Sequence, residues 1–186
     1  VLRDRPSDIG HLPYGADLNQ PLTPEHNAHG GMLEAAASSA KILREVITSK
    51  SFWILAGTFF VCGWTTNGII STHFIPAAQD EGLPATAAAS LLAVVGVFDL
   101  IGTSGSGWLT DRFDPRKLLS IYYGLRGLAL VAMPMILGPS VEPSMLVVMM
   151  LFGLDWVATV PPTAVLSSRI FGAKAGVVVF AWVFAF

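Results

Sequence analysis

The chain has 186 residues, of which 53% are hydrophobic and only 13% are charged, and its formal net charge is −2. Soluble domains carry about 25% charged residues, so this composition argues against a cytosolic enzyme, a disordered tail or a nucleic-acid-binding protein. The one cysteine, Cys62, leaves no partner for an internal disulfide or a cysteine-based zinc site. The composition indicates an all-α membrane protein that crosses the lipid bilayer several times.

The first fifty residues differ from the rest and are predicted to lie outside the membrane. Residues 17–31 are rich in Pro, Asn, His and Gly, which predicts a loop. Residues 33–50 contain helix-forming Ala, Leu, Glu and Lys, and one side of this predicted helix is apolar. The helix would fit the membrane surface, and a solvated linker helix explains it equally well. We assign residues 1–50 to a loop with this helix and residues 51–186 to a transmembrane domain.

Four apolar stretches in the second region are long enough to cross a bilayer, which takes about 20 residues in a helix. They are residues 52–75, 85–109, 118–138 and 144–165. A fifth apolar run begins at Gly176 and is expected to be truncated at Phe186. Short, turn-rich connections separate the stretches, so the sequence predicts a polytopic helix bundle.

The distribution of Lys and Arg predicts the orientation of this bundle. Ten of the eleven cations fall before the first span, in the second connection or after the fourth span. All of these positions lie on one side of the membrane if the spans alternate. Since Lys and Arg in short loops favour the cytoplasmic side, we expect a cytoplasmic amino-terminal loop and a multi-pass protein of the plasma or inner membrane.

Three ionisable residues lie deep inside the predicted spans: Asp99, Arg126 and Asp155. A charge at this depth is costly and usually functional. Each lies about 12–15 Å from the same membrane side at helical rise, so the three are expected to share one layer and to face a common polar interior. We predict that they handle substrate or protons and that Asp99 pairs with Arg126 across a short hairpin. An ion pair that only fixes helix packing is the alternative.

Other residues in the spans are weaker candidates for the substrate or proton pathway. His73 is either a gate or an interfacial polar residue, since histidine is the side chain best suited to a change of charge at physiological pH. Asn67, with the neighbouring Trp64, Thr65 and Thr66, either lines a pathway or bonds to other helices. Pro161 and Pro162 lack backbone donors and predict a kink that is either a hinge or a packing detail. The small residues of 102–107 predict close helix packing.

The second connection carries the most specific motif, Gly107-Trp-Leu-Thr-Asp-Arg-Phe-Asp-Pro-Arg-Lys117. It resembles the signature loop of the major facilitator superfamily, in which Gly is followed by Asp and a basic residue and then by a basic pair. Gly107, Asp111 and Arg112 match in place, and Pro115 displaces the basic pair Arg116 and Lys117.

The resemblance implies the carboxyl-terminal half of a twelve-helix transporter. The four spans would be helices seven to ten, followed by the start of helix eleven, and the missing partner would be the amino-terminal six-helix half. The stretch 153–162 and the pair Phe98-Asp99 are similar to bacterial members near the monocarboxylate-porter branch. In that branch an Arg is common at the position that Thr103 occupies here.

The resemblance further implies a secondary transporter that works by alternating access on a small solute. An organic anion moved with a proton is the expected cargo, with Arg126 for the carboxylate and Asp99 or Asp155 for the proton. Asp111 would contact the start of a neighbouring helix near residues 173–176 and so favour one conformational state; a cytoplasmic anchor with no switching role is the alternative for this loop. We expect no cofactor, metal site or catalytic residue. A membrane sensor built on the same scaffold is the alternative function.

Overall fold

The computed structural model describes residues 32–185, so the predicted loop 17–31 lies outside the described residues. The chain divides into a unit of residues 1–38 and a unit of residues 39–186, with the boundary inside the first described helix. Among residues 32–185, four helices are long and apolar enough to cross a membrane. These four spans, numbered in chain order, are Lys50–Asp80, Ala85–Thr110, Pro115–Ile136 and Pro143–Phe171. The described residues contain helices, turns and bends and no strand, so the predicted all-α class is confirmed.

Two shorter helices flank the spans: Met32–Val46 before them and Ala173–Ala185, here called the last helix, after them. Within the second unit, apolar side chains of the first of these helices, including Leu43 and Val46, pack on a buried cluster around Phe52. The Trp182 indole nitrogen of the last helix donates a hydrogen bond to Ser39 Oγ over 3.0 Å. These contacts place the start of the second unit beside the last helix.

The first span has three segments, an α-helix Lys50–Gly63, a π-helix Trp64–Ser71 and an α-helix Thr72–Asp80. The sequence predicted an end at residue 75, but the helix continues through Pro76 because Phe74 and Ala78 are buried in the core. The helix ends at Asp80, and Gly82, two residues later, has a φ of 86° that glycine adopts without strain. Tertiary packing therefore overrides the local signal of the proline.

The fourth span is interrupted in its middle. An α-helix over Pro143–Asp155 gives way to turns over residues 156–159, and a second α-helix runs over Val160–Phe171. Pro161 and Pro162 lie in the first turn of that second helix, where backbone donors have no helical partner to lose. The interruption therefore lies directly before the two prolines. Gly172, with φ of 87°, ends the span before the last helix begins.

Two glycines bring the second and fourth spans into backbone contact. A Cβ atom on Gly102 would lie 2.6 Å from the carbonyl carbon of Leu154, and one on Gly153 would lie 2.6 Å from the Val95 carbonyl oxygen. Real side chains do not tolerate such distances, so only glycine permits this approach. The close packing places Asp99 of the second span beside the interruption of the fourth span.

In the described part of the chain, the apolar core consists of two buried clusters, one at each end of the spans. One includes Ile70, Met149 and Phe152, and the other includes Phe59 and Leu166. Six buried polar side chains of spans one, three and four lie in sequence between the positions that supply these clusters. They are Thr65, Thr66, Arg126, Asp155, Thr159 and Thr163. The fold therefore contains a polar layer near the middle of the spans, enclosed by apolar packing above and below.

Candidate functional site

The centre of the polar layer is an ion pair between the third and fourth spans. Arg126 Nε lies 2.6 Å from Asp155 Oδ2, and the two side chains are only 2% and 3% exposed. The predicted Asp99–Arg126 pair is therefore wrong. The third span packs mainly against the fourth span and only weakly against the second. Adjacency along the chain was a poor guide to which carboxylate faces the arginine.

The Arg126 guanidinium also binds the first span. Its Nη1 atom donates to the Cys62 carbonyl oxygen at 3.1 Å and to Thr66 Oγ1 at 2.8 Å. Cys62 Sγ at 2.9 Å and Thr65 Oγ1 at 3.3 Å complete the acceptors around this atom. A guanidinium has five N–H donors in a fixed planar geometry, and here one side chain joins three spans.

The remaining Arg126 donors bind the interruption of the fourth span. Nη2 donates to the main-chain carbonyl oxygens of Asp155 and, at 3.0 Å, of Trp156. An interrupted helix leaves carbonyl oxygens without their usual amide partners, and an unpaired buried carbonyl is costly. Arg126 therefore compensates both the charge of Asp155 and the backbone of the interruption, and each of its three nitrogens has an acceptor.

Asp99 binds the same interruption from the second span. Its Oδ1 atom accepts a hydrogen bond from the Val157 amide at 3.1 Å and another from Thr103 Oγ1 at 3.0 Å. Ser106, further along the second span, donates to the Ala158 carbonyl oxygen. The three charged residues predicted to share one layer thus come together at residues 155–158. Asp99, however, binds the backbone of this segment and does not pair with Arg126.

A cavity of about 320 Å³ lies between the π-helical segment of the first span and the interruption of the fourth. Asn67, Trp64 and Thr66 line it from the first span, and Trp156 lines it from the fourth. Thr66 and the carbonyl of Trp156 both accept from Arg126, so the guanidinium lies directly behind the cavity wall. π-helical turns are frequent at functional sites, and here two irregular helix segments border one cavity.

The sequence did not single out Cys62 or Trp156 as members of this site. Cys62 lies four residues before Thr66, so both face the same side of the first span, and Trp156 directly follows Asp155. Cys62 could have been found from its helical spacing to Thr66, which the sequence analysis named. The main-chain carbonyl oxygens of Asp155 and Trp156 could not be predicted as acceptors, because every residue has such an oxygen whatever its side chain.

His73, by contrast, lies apart from this cavity. It is exposed in the segment Thr72–Asp80, and it forms no side-chain hydrogen bond or ion pair within residues 32–185. Asn67 lines the cavity and is itself exposed. A role for His73 as a gate therefore stays a prediction.

The signature loop lies at the end of the second span, away from the ion pair. The Arg112 guanidinium carbon lies 4.0 Å from the centre of the Trp108 ring, and Asp114 Oδ1 accepts from the Arg116 amide at 2.9 Å to cap the third span. Asp111 is exposed and makes no side-chain hydrogen bond or ion pair to any described residue. The implied contact from Asp111 to residues 173–176 is thus not formed in this conformation.

Comparisons with known proteins agree with this architecture. The family model for the Major Facilitator Superfamily matches residues 2–186. The chain is 29% identical over 136 residues to monocarboxylate transporter 12-B of Danio rerio. This alignment covers 67% of this chain and 28% of the relative. It is 30% identical over 149 residues to the uncharacterised MFS-type transporter YcxA of Bacillus subtilis (strain 168). This alignment covers 72% of this chain and 35% of the relative.

The chain thus spans about a third of the length of the curated relatives it matches. No solved structure matches it significantly. The family match covers nearly all of the chain, and the four apolar spans make it a multi-pass membrane protein. The chain belongs to the major facilitator superfamily.

Proposed function

We propose that the protein to which this chain belongs is a secondary active transporter that moves a small organic anion, such as a monocarboxylate, together with a proton. The observation that carries the proposal is the buried Arg126–Asp155 pair beside a cavity at the middle of the spans. The relative named as a monocarboxylate transporter supports the choice of an anion. Central binding sites between helix interruptions are typical of transporters that work by alternating access.

The ion pair provides a physical reason for coupling an anion to a proton. Arg126 and Asp155 together are neutral, and Asp155 Oδ1 has no hydrogen-bond partner among the described residues. A proton on this carboxylate would leave the buried Arg126 charge uncompensated, which costs several kcal/mol. An organic anion that enters beside Arg126 restores neutrality. Proton and anion are therefore expected to enter together, and transport is expected to be electroneutral for a monocarboxylate.

The present conformation has no free Arg126 donor for a substrate carboxylate, because all three nitrogens already bind acceptors. Protonation of Asp155 weakens its hydrogen bond with Arg126 Nε, since the neutral acid is a poorer acceptor than the carboxylate. The substrate carboxylate then takes the place of Asp155 on the guanidinium. This exchange links substrate binding to the interruption of the fourth span, whose carbonyl oxygens bind the same guanidinium.

Membership of the family supports a proposal for the arrangement of the helices. The spans are proposed to be helices seven to ten, with the amino-terminal loop in the cytoplasm of the cell and the last helix as the start of helix eleven. Phe60 and Trp64 are exposed beside the cavity, and the amino-terminal six-helix half is proposed to cover this side. The signature loop, with Asp111 unpaired here, is proposed to form its contacts when the cytoplasmic side closes.

Reconstitution of the full-length protein in liposomes tests the proposal. With a more acidic external buffer, we expect accumulation of a labelled monocarboxylate above its external concentration. Asp155→Asn should abolish this accumulation, whereas Asp80→Asn, which changes an exposed carboxylate at the end of the first span, should leave it intact. Specific binding without flux would contradict the proposal and indicate a sensor.

A further inference from the structure

We infer that the cavity beside Arg126 takes a carboxylate that carries an aromatic ring, and that Gly63 sets the size of the ring it accepts. The inference rests on the proposed function, because it names the class of anion that the same site would transport. It is carried by the side chains that line the cavity and by the empty space in front of Gly63.

Aromatic rings dominate the cavity wall. Of the eleven lining residues, five are aromatic: Phe59, Phe60, Trp64, Trp156 and Phe184. The described lining residues include no Asp or Glu, and the polar groups among them are neutral. Pockets of this kind bind an apolar body and use a few polar groups to orient it.

The rings are held in place by their neighbours. Trp64 packs on Phe60 with ring centres 5.5 Å apart and planes at 58°, and its indole lies against Gly68, where a Cβ would be 3.4 Å away. Trp156 packs edge-on against Phe152 with ring centres 5.5 Å apart. Offset and edge-to-face pairs are the favoured geometries of aromatic rings. The lining rings already form such pairs with their neighbours, and a further ring can join them in the same geometries.

The polar end of the cavity fixes the orientation of the ligand. Thr66 and Cys62 line the cavity and accept hydrogen bonds from Arg126, so the positive charge lies behind this part of the wall. A carboxylate directed to Thr66 and Arg126 places an attached ring among Trp64 and Trp156. Aromatic faces also attract cations. The charged side chain that contacts the lining residues from behind the wall, however, is Arg126. Its positive charge favours an anion.

The part of the cavity that this chain forms gives the scale of the ligand. At about 320 Å³ it lies at the lower end of the range for ligand pockets, which is enough for a single or fused ring with a short acid. A two- or three-carbon aliphatic acid would leave most of the aromatic wall without contact. Wall atoms that face unfilled space lose van der Waals contacts with the ligand, so such acids are expected to bind more weakly.

Gly63 forms part of the wall and controls its capacity. A Cβ atom added at Gly63 would meet no heavy atom of the described structure within 4 Å, so a larger side chain would extend into open space without displacing backbone. Gly57 lies on the same helix and also has open space before its Cβ, but it does not line the cavity. Gly57 therefore provides a matched control.

The test compares uptake of benzoate and phenylacetate with uptake of acetate and lactate by the full-length protein in liposomes. We expect the KM of the wild-type protein to be about tenfold lower for the aromatic acids. Gly63→Leu should raise the KM for the aromatic acids about tenfold and change that for acetate less than about twofold. Gly57→Leu should change neither KM. If Gly63→Leu does not insert into the membrane, Gly63→Ala and Trp64→Ala should show the same selective loss in smaller measure.

The outcomes separate this inference from the proposed function. Transport of lactate as efficiently as benzoate, or an equal loss for all acids in Gly63→Leu, would overturn the inference while leaving anion transport established. Preference for an organic cation such as choline would overturn both the inference and the anion proposal. Absence of flux for every carboxylate would likewise overturn both.

Discussion

Arg126 binds Asp155 twice, through the side-chain oxygen Oδ2 at 2.6 Å and through the main-chain carbonyl oxygen of the same residue. The first contact neutralises a buried charge, and the second satisfies a backbone group at the interruption of the fourth span. A change in the charge of Asp155 therefore acts at the same point at which the helix path changes. This relationship connects the electrostatics of the site with the geometry of the span.

Removal of both partners of the ion pair should cost less stability than the two single removals added together. Asp155→Asn or Arg126→Gln leaves one charge buried without its partner, and we expect a loss of about 3–5 kcal/mol in the free energy of unfolding for either. The double variant leaves no charge and should lose clearly less than the sum of the two. A denaturation series of the purified protein in detergent measures this double-mutant cycle. Additive losses would mean that the two side chains are not coupled.

Asp99 is expected to act as a support for the interrupted backbone. Asp99→Asn keeps an oxygen that can accept from Val157 N and Thr103, so transport and its pH dependence should change little. Asp99→Ala removes the acceptor and leaves the Val157 amide unpaired, which should cost about 1–3 kcal/mol. Uptake measured over a pH series distinguishes the two roles. Loss of pH dependence in Asp99→Asn would assign the proton to Asp99 and not to Asp155.

The backbone contact between the second and fourth spans should tolerate no side chain. Gly102→Ala places a Cβ 2.6 Å from the Leu154 carbonyl carbon, and we expect a loss of about 1–3 kcal/mol from the forced shift. Gly96→Ala on the same span meets no heavy atom of the described residues within 4 Å and should be neutral or slightly stabilising. Thermal unfolding of both variants in the same detergent provides the comparison. Equal stability would contradict the close approach.

Two aspartates of the signature loop should differ in their effects. Asp111 is unpaired in the described structure, so Asp111→Asn should slow transport more than it lowers the amount of protein in the membrane. Asp114 caps the third span, and Asp114→Ala should cost about 1 kcal/mol and mainly lower that amount. Uptake normalised to membrane abundance measures both effects. Equal loss of uptake and abundance in Asp111→Asn would indicate a role in folding alone.

Much of the fold could be predicted from local sequence. The four spans follow from runs of apolar residues, and the shared depth of Asp99, Arg126 and Asp155 follows from helical rise along each run. The partner of Arg126 could not be predicted, because it depends on which helices are neighbours and how each is rotated about its axis. The contact that brings Asp99 to Val157 exists only because the fourth span is interrupted there.

The candidate cavity was only partly predictable for the same reason. Asn67 and Trp64 were recognised as polar and aromatic residues in the middle of a span, but the π-helical segment that places them beside Trp156 left no distinct local pattern. The first span also continues past Pro76, because Phe74 and Ala78 are buried in the core. In both cases tertiary packing decided the backbone path that the sequence alone left open.

The coupling of a proton to an anion at the Arg126–Asp155 pair is most directly tested by uptake into liposomes that contain full-length protein, either wild type or Asp155→Asn. Each protein is measured with and without an inward proton gradient. We predict that the wild type accumulates the carboxylate only with the gradient, and that Asp155→Asn exchanges substrate across the membrane without accumulating it in either condition. Gradient-driven accumulation by Asp155→Asn to the wild-type level would contradict the role assigned to this pair.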